Sequence, residues 1–150
     1  MPQSFAFIPI HYIWSTKNRQ PLIKSEIEQE LYKYLAGIFR GQDSKTISIN
    51  GTQDHIHVLS LLSRKITIAK LVEEVKKCSS KWIKTKGKIY QNFYWQNGYA
   101  ALGIGQSNIE ALKKYIENQK EHHKKKTFQE EYIAFLKRYN IEYDERYVWD

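Results

Sequence analysis

The sequence predicts an α+β fold, in which helices pack on an antiparallel sheet and extra helices follow at the C-terminal end. Stretches rich in aromatic and β-branched residues alternate with stretches in which apolar residues recur at helical spacing. Their order is strand, helix, strand, strand, helix, strand, helix, helix, and the first six elements follow the β-α-β-β-α-β order of a ferredoxin-like fold. With 150 residues, 41% of them hydrophobic, we expect one domain spanning residues 1–150.

The first strand and the first helix are predicted from residue type and spacing. The stretch SFAFIPIHYIWST (4–16) is typical of a strand, although Pro9 favours an edge position or a bulge. Ser25 and Glu28 have the spacing of a capping box, and apolar residues then keep helical spacing up to Gly41.

A hairpin, a helix and a further extended segment are predicted for the middle of the chain. KTISING (45–51) and HIHVLSLL (55–62) read as two strands joined by a short polar turn. Helical spacing resumes at Ile68 and ends before Gly87. The aromatic, glycine-broken stretch at 89–105 is expected to be extended.

Two more helices are predicted at the C-terminal end. Ser107 with Glu110 and Thr127 with Glu130 each have the spacing of a capping box. The first of these helices is expected to continue through YIENQKEHH.

Two histidines stand one residue apart in the strand at 55–62. Side chains alternate between the faces of a strand, so His55 and His57 point the same way, roughly 7 Å apart, while Ile56 and Val58 face helices on the other side. The pair could bind one divalent ion, or it could be two half-exposed polar positions of a strand. A third ligand is needed to favour the metal site.

The helix that begins near residue 107 supplies candidates for that ligand. Tyr115, Gln119 and the pair His122 and His123 lie at spacings that share one helix face. The same residues also have an explanation that involves no catalysis. Tyr115 could be a tyrosine at the edge of the core, Gln119 a solvated amide, and the two histidines part of a basic last turn of the helix. Alternatively, a tyrosinate can attack a phosphodiester while a divalent ion polarises the phosphate. With no thiolate and few carboxylates available, Mg²⁺ or Mn²⁺ suits the ion site better than structural zinc, although imidazole also binds zinc.

The composition favours a polyanionic partner. Lys and Arg number 24 against 16 Asp and Glu, which gives a formal net charge of +8. The single Cys78 excludes an internal disulfide and a cysteine-based zinc cluster. No signal peptide and no membrane-spanning stretch is visible, so we expect no membrane partner and a cytoplasmic location. The basic side chains predicted to contact the nucleic-acid backbone are Lys17, Arg19, Lys81 and Lys84.

DHIHVL, followed some sixty residues later by YIENQ, resembles the IS200/IS605-type single-tyrosine HUH transposases, with which REP-associated tyrosine transposases are grouped. WSTKNRQPL, WQNGYAA and the C-terminal FLKRYNIEYDERYVWD are also similar to members of that family. The resemblance implies a ferredoxin-like core in which Tyr115 is the nucleophile and His55, His57 and Gln119 hold Mg²⁺ or Mn²⁺. It implies cleavage of single-stranded DNA to a 5′-phosphotyrosine and a free 3′-OH, with rejoining that needs no ATP.

The same resemblance implies a homodimer, in which the histidine site is completed by the tyrosine helix either of its own chain or of the other chain. Hairpin ends of a mobile element are one candidate for the DNA. NQKEHH after the tyrosine favours the insertion-sequence branch over a domesticated REP-associated member. Asp54 and His122 are candidates for contacts that orient the ligands, and His11 has no assigned role.

Two other functions fit the same residues. A non-enzymatic single-strand binder would stack aromatic residues such as Phe93, Tyr94 and Trp95 on bases. A metal-dependent phosphodiesterase would use water as its nucleophile and form no covalent adduct.

Overall fold

The computed structural model describes residues 2–150, and these contain four strands and five helices. In chain order the elements are β1 (Pro9–Ser15), α1 (Ser25–Gly41), β2 (Thr46–Gly51), β3 (His55–Leu61), α2 (Ile68–Ile83), β4 (Ala100–Gly103), α3 (Ile109–Glu117), α4 (Gln119–His122) and α5 (Phe128–Arg138). Within the described residues no helix is both long enough and apolar enough to pass through a membrane.

The four strands form one antiparallel sheet in the order β2-β3-β1-β4. The predicted α+β, ferredoxin-like class is therefore confirmed. The expectation that Pro9 marks an edge strand or a bulge is wrong, since β1 is a central strand. Pro9 stands at its first position, opposite Leu61, and a strand tolerates proline there because the missing N–H lies at the end of the ladder.

Each face of the sheet has its own core. On one face Tyr12 and Trp14 pack with Ile56 and Val58 beneath α1 and α2. The second face carries Ile13 and the C-terminal helices, and its buried apolar residues are Ile13, Ala100, Leu102, Phe128, Tyr132, Phe135 and Leu136. The alternation of β3 thus places its two histidines under the C-terminal helices, as the sequence pattern predicted for one shared face.

Of the three predicted capping boxes, one is present. Thr127 accepts from the backbone N–H of Glu130, whose carboxylate accepts from the Thr127 N–H. The box at Ser25 is wrong because Lys24 is the N-cap and Ser25 already lies inside the helix.

The box at Ser107 is also wrong. Residues Gln106–Asn108 form a 3₁₀ turn, and Asn108 precedes α3 without a side-chain cap. In both wrong cases the backbone enters the helix at a different residue, which spacing alone does not define.

The segment at 89–105 is mostly irregular, contrary to the expectation of an extended chain. Only Ala100–Gly103 is a strand, and Lys88–Tyr90 forms a 3₁₀ turn. Phe93 and Trp95 are buried in the core under α2, with the Trp95 indole donating to Ser79 at 2.9 Å. These aromatic side chains fill the interior instead of extending a sheet, and they are therefore not accessible for stacking on bases.

Candidate active site

His55 and His57 of β3 lie at the centre of the second face. Their rings are 5.2 Å apart between centroids, and both side chains are fully buried. The expectation of a half-exposed or solvent-accessible histidine pair is wrong, because α4 and α5 cover β3. Phe128 of α5 packs 4.8 Å from the ring of His55, and Phe135 packs 6.5 Å from that of His57.

A carboxylate that the sequence analysis missed joins these residues. Glu131 of α5 is 1% exposed. Its Oε1 accepts from Nε2 of His57 at 2.9 Å and from Nε2 of His123 at 3.0 Å. Its Oε2 accepts from the Gln119 amide at 3.1 Å and from the phenol of Tyr115. Although burial alone would raise the pKa of Glu131, the hydrogen bonds from His123 and His57 hold that pKa well below its usual range, so the carboxylate is ionised.

The sequence does contain a signal for Glu131. It lies three residues after Phe128 and four before Phe135, which places a carboxylate on the buried apolar face of α5. A buried charge at such a position needs partners, and histidines elsewhere in the chain could supply them. No comparable signal in the sequence directs His123 to Glu131 and its neighbour His122 to the Tyr115 hydroxyl.

Outer contacts fix the orientation of both strand histidines. Oδ1 of Asp54 accepts from Nδ1 of His55 at 2.6 Å, which directs Nε2 toward the amide oxygen of Gln119 at 3.0 Å. Burial would raise the pKa of Asp54, but its hydrogen bonds with His55 and Thr52 lower it.

His57 is oriented in a similar way by His11, a residue to which the sequence analysis assigned no role. The two rings are linked by a 2.8 Å hydrogen bond between His11 Nε2 and His57 Nδ1. Burial lowers the pKa of His57 to about 4, so its imidazole is neutral. Because Nε2–H of His57 donates to the ionised Glu131 carboxylate, Nδ1 of His57 accepts the hydrogen bond from Nε2 of His11 in this arrangement.

Tyr115 of α3 reaches this cluster within the same chain. Its ring lies 6.0 Å from that of His57, and its hydroxyl is 3.1 Å from Nε2 of His122. Burial, together with the hydrogen bond to Glu131 and the charge of that carboxylate, raises the pKa of Tyr115, and Arg138 opposes this rise. The phenol is therefore a neutral donor that faces an ionised acceptor.

A break between α3 and α4 brings Gln119 inward. The predicted continuous helix is wrong, because α3 ends at Glu117 and the backbone leaves the helical conformation at Asn118. The side-chain amide of Asn50 donates to the free carbonyl oxygens of Ile116 at 2.9 Å and Glu117 at 3.1 Å. The end of the tyrosine helix is thereby attached to β2, and Gln119 is fully buried against His55.

Four side chains of this cluster could hold a metal ion. One donor atom from each lies within 4.8 Å of the others, and the four are His55, His57, His123 and Glu131. The neutral His57 can bind an ion through Nε2 once the proton there is carried by Nδ1 instead, and the ionised Glu131 supplies negative charge, so the chemistry of the donor set fits a divalent cation. The expected amide ligand Gln119 borders the same group, with Oε1 3.0 Å from Nε2 of His55.

The basic residues predicted to contact DNA make other contacts in the folded chain. Lys17 and Lys84 lie 5.9 Å and 4.2 Å from the centroid of the exposed Tyr94 ring. Arg19 lies 5.5 Å from the ring of Trp149, and Lys81 is exposed on α2. Tyr94, unlike its buried neighbours, thus presents an aromatic face between two lysines.

Comparison with known proteins identifies relatives of this chain. The family model described as "Transposase IS200 like" matches residues 5–119. Over 114 residues the chain is 25% identical to the ISDra2 transposase TnpA of Deinococcus radiodurans, which covers 73% of this chain and 81% of that protein.

Two solved structures share the fold. One is a candidate transposase from Deinococcus radiodurans R1, with a TM-score of 0.61 and 21% identity over 79% of this chain and 96% of that one. The other is a REP-associated tyrosine transposase bound to a REP hairpin, with a TM-score of 0.57 and 15% identity over 79% of this chain and 72% of that one. The family match ends at residue 119, so α5 and Glu131 lie beyond it.

Proposed function

The chain belongs to the family of IS200-like transposases, and on this basis we propose that it cleaves and rejoins single-stranded DNA through a covalent bond to Tyr115. The observation that carries the proposal is the phenol of Tyr115, which donates to a buried carboxylate in the middle of a histidine cluster. An adjacent proton acceptor is one of the ways in which a weakly acidic hydroxyl is activated as a nucleophile.

His55, His57 and Gln119 are proposed to hold the divalent ion, with Glu131 and His123 within reach of the same position. Bound there, Mg²⁺ or Mn²⁺ would polarise the scissile phosphate and offset the charge that develops on it. The imidazole-rich donor set favours Mn²⁺ over Mg²⁺, which prefers oxygen ligands. Asp54 and His11 keep the ring orientations of the two strand histidines.

In the proposed cleavage step, the phenol oxygen of Tyr115 forms a bond to phosphorus as the bond from phosphorus to the 3′ oxygen breaks. The phenol proton passes along the existing hydrogen bond to Glu131. The displaced 3′ oxygen takes up a proton from solvent and leaves as a 3′-OH. Rejoining is the reverse attack of a 3′-OH on the phosphotyrosine, and it needs no ATP because the ester keeps the bond energy.

The proposed DNA partner is a single strand, with hairpin ends of a mobile element as the specific target. One fold relative is described as bound to a REP hairpin, and the net charge of +8 suits a polyanion. The homodimer remains a prediction. A partner chain is not needed to bring Tyr115 to the histidines, since the phenol bonds to Glu131 of its own chain.

The proposal is tested by strand cleavage with the Tyr115→Phe variant, which removes one oxygen and keeps the ring. End-labelled single strands of the DNA that flanks the gene, with every stretch that can form a hairpin, are incubated with Mn²⁺ and either protein. We expect wild-type cleavage and a loss to background in the variant. Tyr147→Phe, at an exposed tyrosine, is the matched control and should cleave as the wild type does.

The two other functions give different results in the same experiment. A non-enzymatic binder cleaves in neither form. A phosphodiesterase that activates water leaves Tyr115→Phe active. Either result would reject the proposed chemistry.

A further inference from the structure

A cavity of about 510 Å³ lies between α3 and α5 beside the proposed nucleophile. Residues of the cluster form part of its wall, namely His11, Tyr115, His122 and Glu131. Anything that occupies this cavity is therefore in contact with the reacting side chain.

The rest of the wall combines apolar surface with positive charge. Leu112 of α3, Phe135 of α5 and Ile104 supply apolar side chains, and Lys126 and Arg138 supply the cations. Glu131 is the acidic lining residue, and its carboxylate is already occupied by hydrogen bonds from the cluster. The cavity thus suits a ligand with a flat apolar part and an anionic group.

His11 adds a buried hydrogen-bonding group to the wall of the cavity. Its Nε2 is hydrogen bonded to Nδ1 of His57, and its Nδ1 is buried without a hydrogen-bond partner among the described residues. A buried polar atom of this kind is rare in folded proteins and calls for a water or a ligand. The edge of a nucleobase carries both donors and acceptors, so it can pair with Nδ1 in either tautomer of His11.

We propose that this cavity binds the nucleotide whose 5′-phosphate becomes joined to Tyr115. The base would occupy the space between Leu112 and Phe135, and the phosphate would lie toward the phenol and Arg138. The volume is within the range of about 300–1,000 Å³ that is usual for small-molecule sites. This inference rests on the proposed function and adds to it a subsite formed by α5, a helix beyond the segment that matches the family model.

The proposed linkage runs through the 5′-phosphate and not the 3′-phosphate, and this direction allows a specific test. A nucleotide attached through its 5′-phosphate places its base on a fixed side of Tyr115. A nucleoside 3′-monophosphate has the same base and charge, but it cannot place both groups in the same positions. The cavity should therefore distinguish the two isomers.

The test is a calorimetric titration of the whole protein, in buffer with Mn²⁺, with the 5′- and 3′-monophosphates of the four deoxynucleosides and with inorganic phosphate. We expect at least one 5′-monophosphate to bind about tenfold or more tightly than its 3′ isomer, since the weaker isomer loses a charge-assisted contact. Inorganic phosphate, which lacks the base, should bind more weakly still.

Two variants locate the site. Ala134→Phe, at an exposed position of α5 that lines the cavity, should reduce the affinity for the 5′-monophosphate by about tenfold or more because the ring fills the space. Arg138→Gln should reduce it similarly by removing a charged phosphate contact. Gln129→Phe and Lys137→Gln, at exposed positions of the same helix outside the cavity, are the matched controls.

Equal affinity for the two isomers, or an unchanged affinity in both cavity variants with unchanged melting temperatures, would overturn the inference. A failure of the proposed function would give a different combination of results from a failure of this inference. A protein that binds the 5′-monophosphate but never forms a Tyr115 adduct would refute the chemistry and keep the cavity as a nucleotide site. A protein that forms the adduct but binds no nucleotide in the cavity would refute this inference alone.

Discussion

At the scale of single residues, the carboxylate of Glu131 connects the parts of the site. It accepts from two histidines, one amide and the phenol of Tyr115, and it is almost fully buried. A buried anion with that many donors is electrostatically satisfied, and removing its charge leaves those donors without an ionised acceptor. The effects should be measurable separately, as a change in the pKa of Tyr115 and as a change in the affinity for Mn²⁺.

Glu131→Gln keeps the size of the side chain and removes its charge. Cleavage should fall by about 10²-fold or more, since the phenol loses its proton acceptor, and Mn²⁺ should bind more weakly. The pKa of Tyr115 is raised by burial and by Glu131, so loss of the carboxylate should lower it while burial still keeps it above the ordinary value of 10.0. The phenolate should therefore appear at lower pH in the variant, and NMR of ¹³Cζ-labelled tyrosine measures this.

Glu145→Gln, at an exposed carboxylate, is the control and should leave the cleavage rate, the affinity for Mn²⁺ and the pKa of Tyr115 unchanged. A Tyr115 pKa that stays the same or rises in Glu131→Gln would show that the hydrogen bond to Glu131 is not what holds the phenol.

At the scale of elements, the sequence and the structure agree where the signal is local and periodic. The alternation in β3 predicted that His55 and His57 share a face opposite Ile56, and the Thr127 capping box predicted the start of α5. The stop after Glu117 was not predictable from spacing, because the helix ends where the Asn50 side chain satisfies its last carbonyls. That contact joins residues more than sixty positions apart, and no local pattern encodes it.

Lys76 of α2 makes another contact between elements that residue spacing in the sequence does not predict. In the sequence it is followed directly by another lysine, Lys77, and nothing distinguishes the two. In the structure its amine donates to the carbonyls of Gln96 at 2.7 Å, Asn97 at 3.2 Å and Gly98 at 2.7 Å, which holds the segment before β4 against α2.

Lys76→Met should therefore lower the free energy of unfolding by about 2–3 kcal/mol, because three carbonyls lose a charged donor. Lys77→Met, at the exposed neighbouring lysine, should change it by less than about 0.5 kcal/mol. Urea denaturation followed by circular dichroism measures both. An equally small change in the two variants would contradict the role assigned to Lys76.

At the scale of the whole molecule, the sheet supplies His55 and His57, and the C-terminal helices place Tyr115, Gln119 and Glu131 beside them. The sequence indicates the two histidines, Tyr115 and Gln119 as candidates, because their spacing puts them on shared faces of a strand and a helix. It did not predict that α5 closes over them, because the packing of a C-terminal helix against β3 depends on the complete fold. The burial of the site and the cavity beside Tyr115 both follow from that packing.

The central claim is that Tyr115 carries the DNA covalently, and mass spectrometry of the trapped complex tests it most directly. Wild-type protein is incubated with the single-stranded hairpin substrate and Mn²⁺, denatured, digested with nuclease and protease, and its peptides are sequenced. We predict a nucleotide attached through its 5′-phosphate to Tyr115, and a free 3′-OH on the released strand. An adduct on another residue, or cleavage with no adduct at all, would contradict the account.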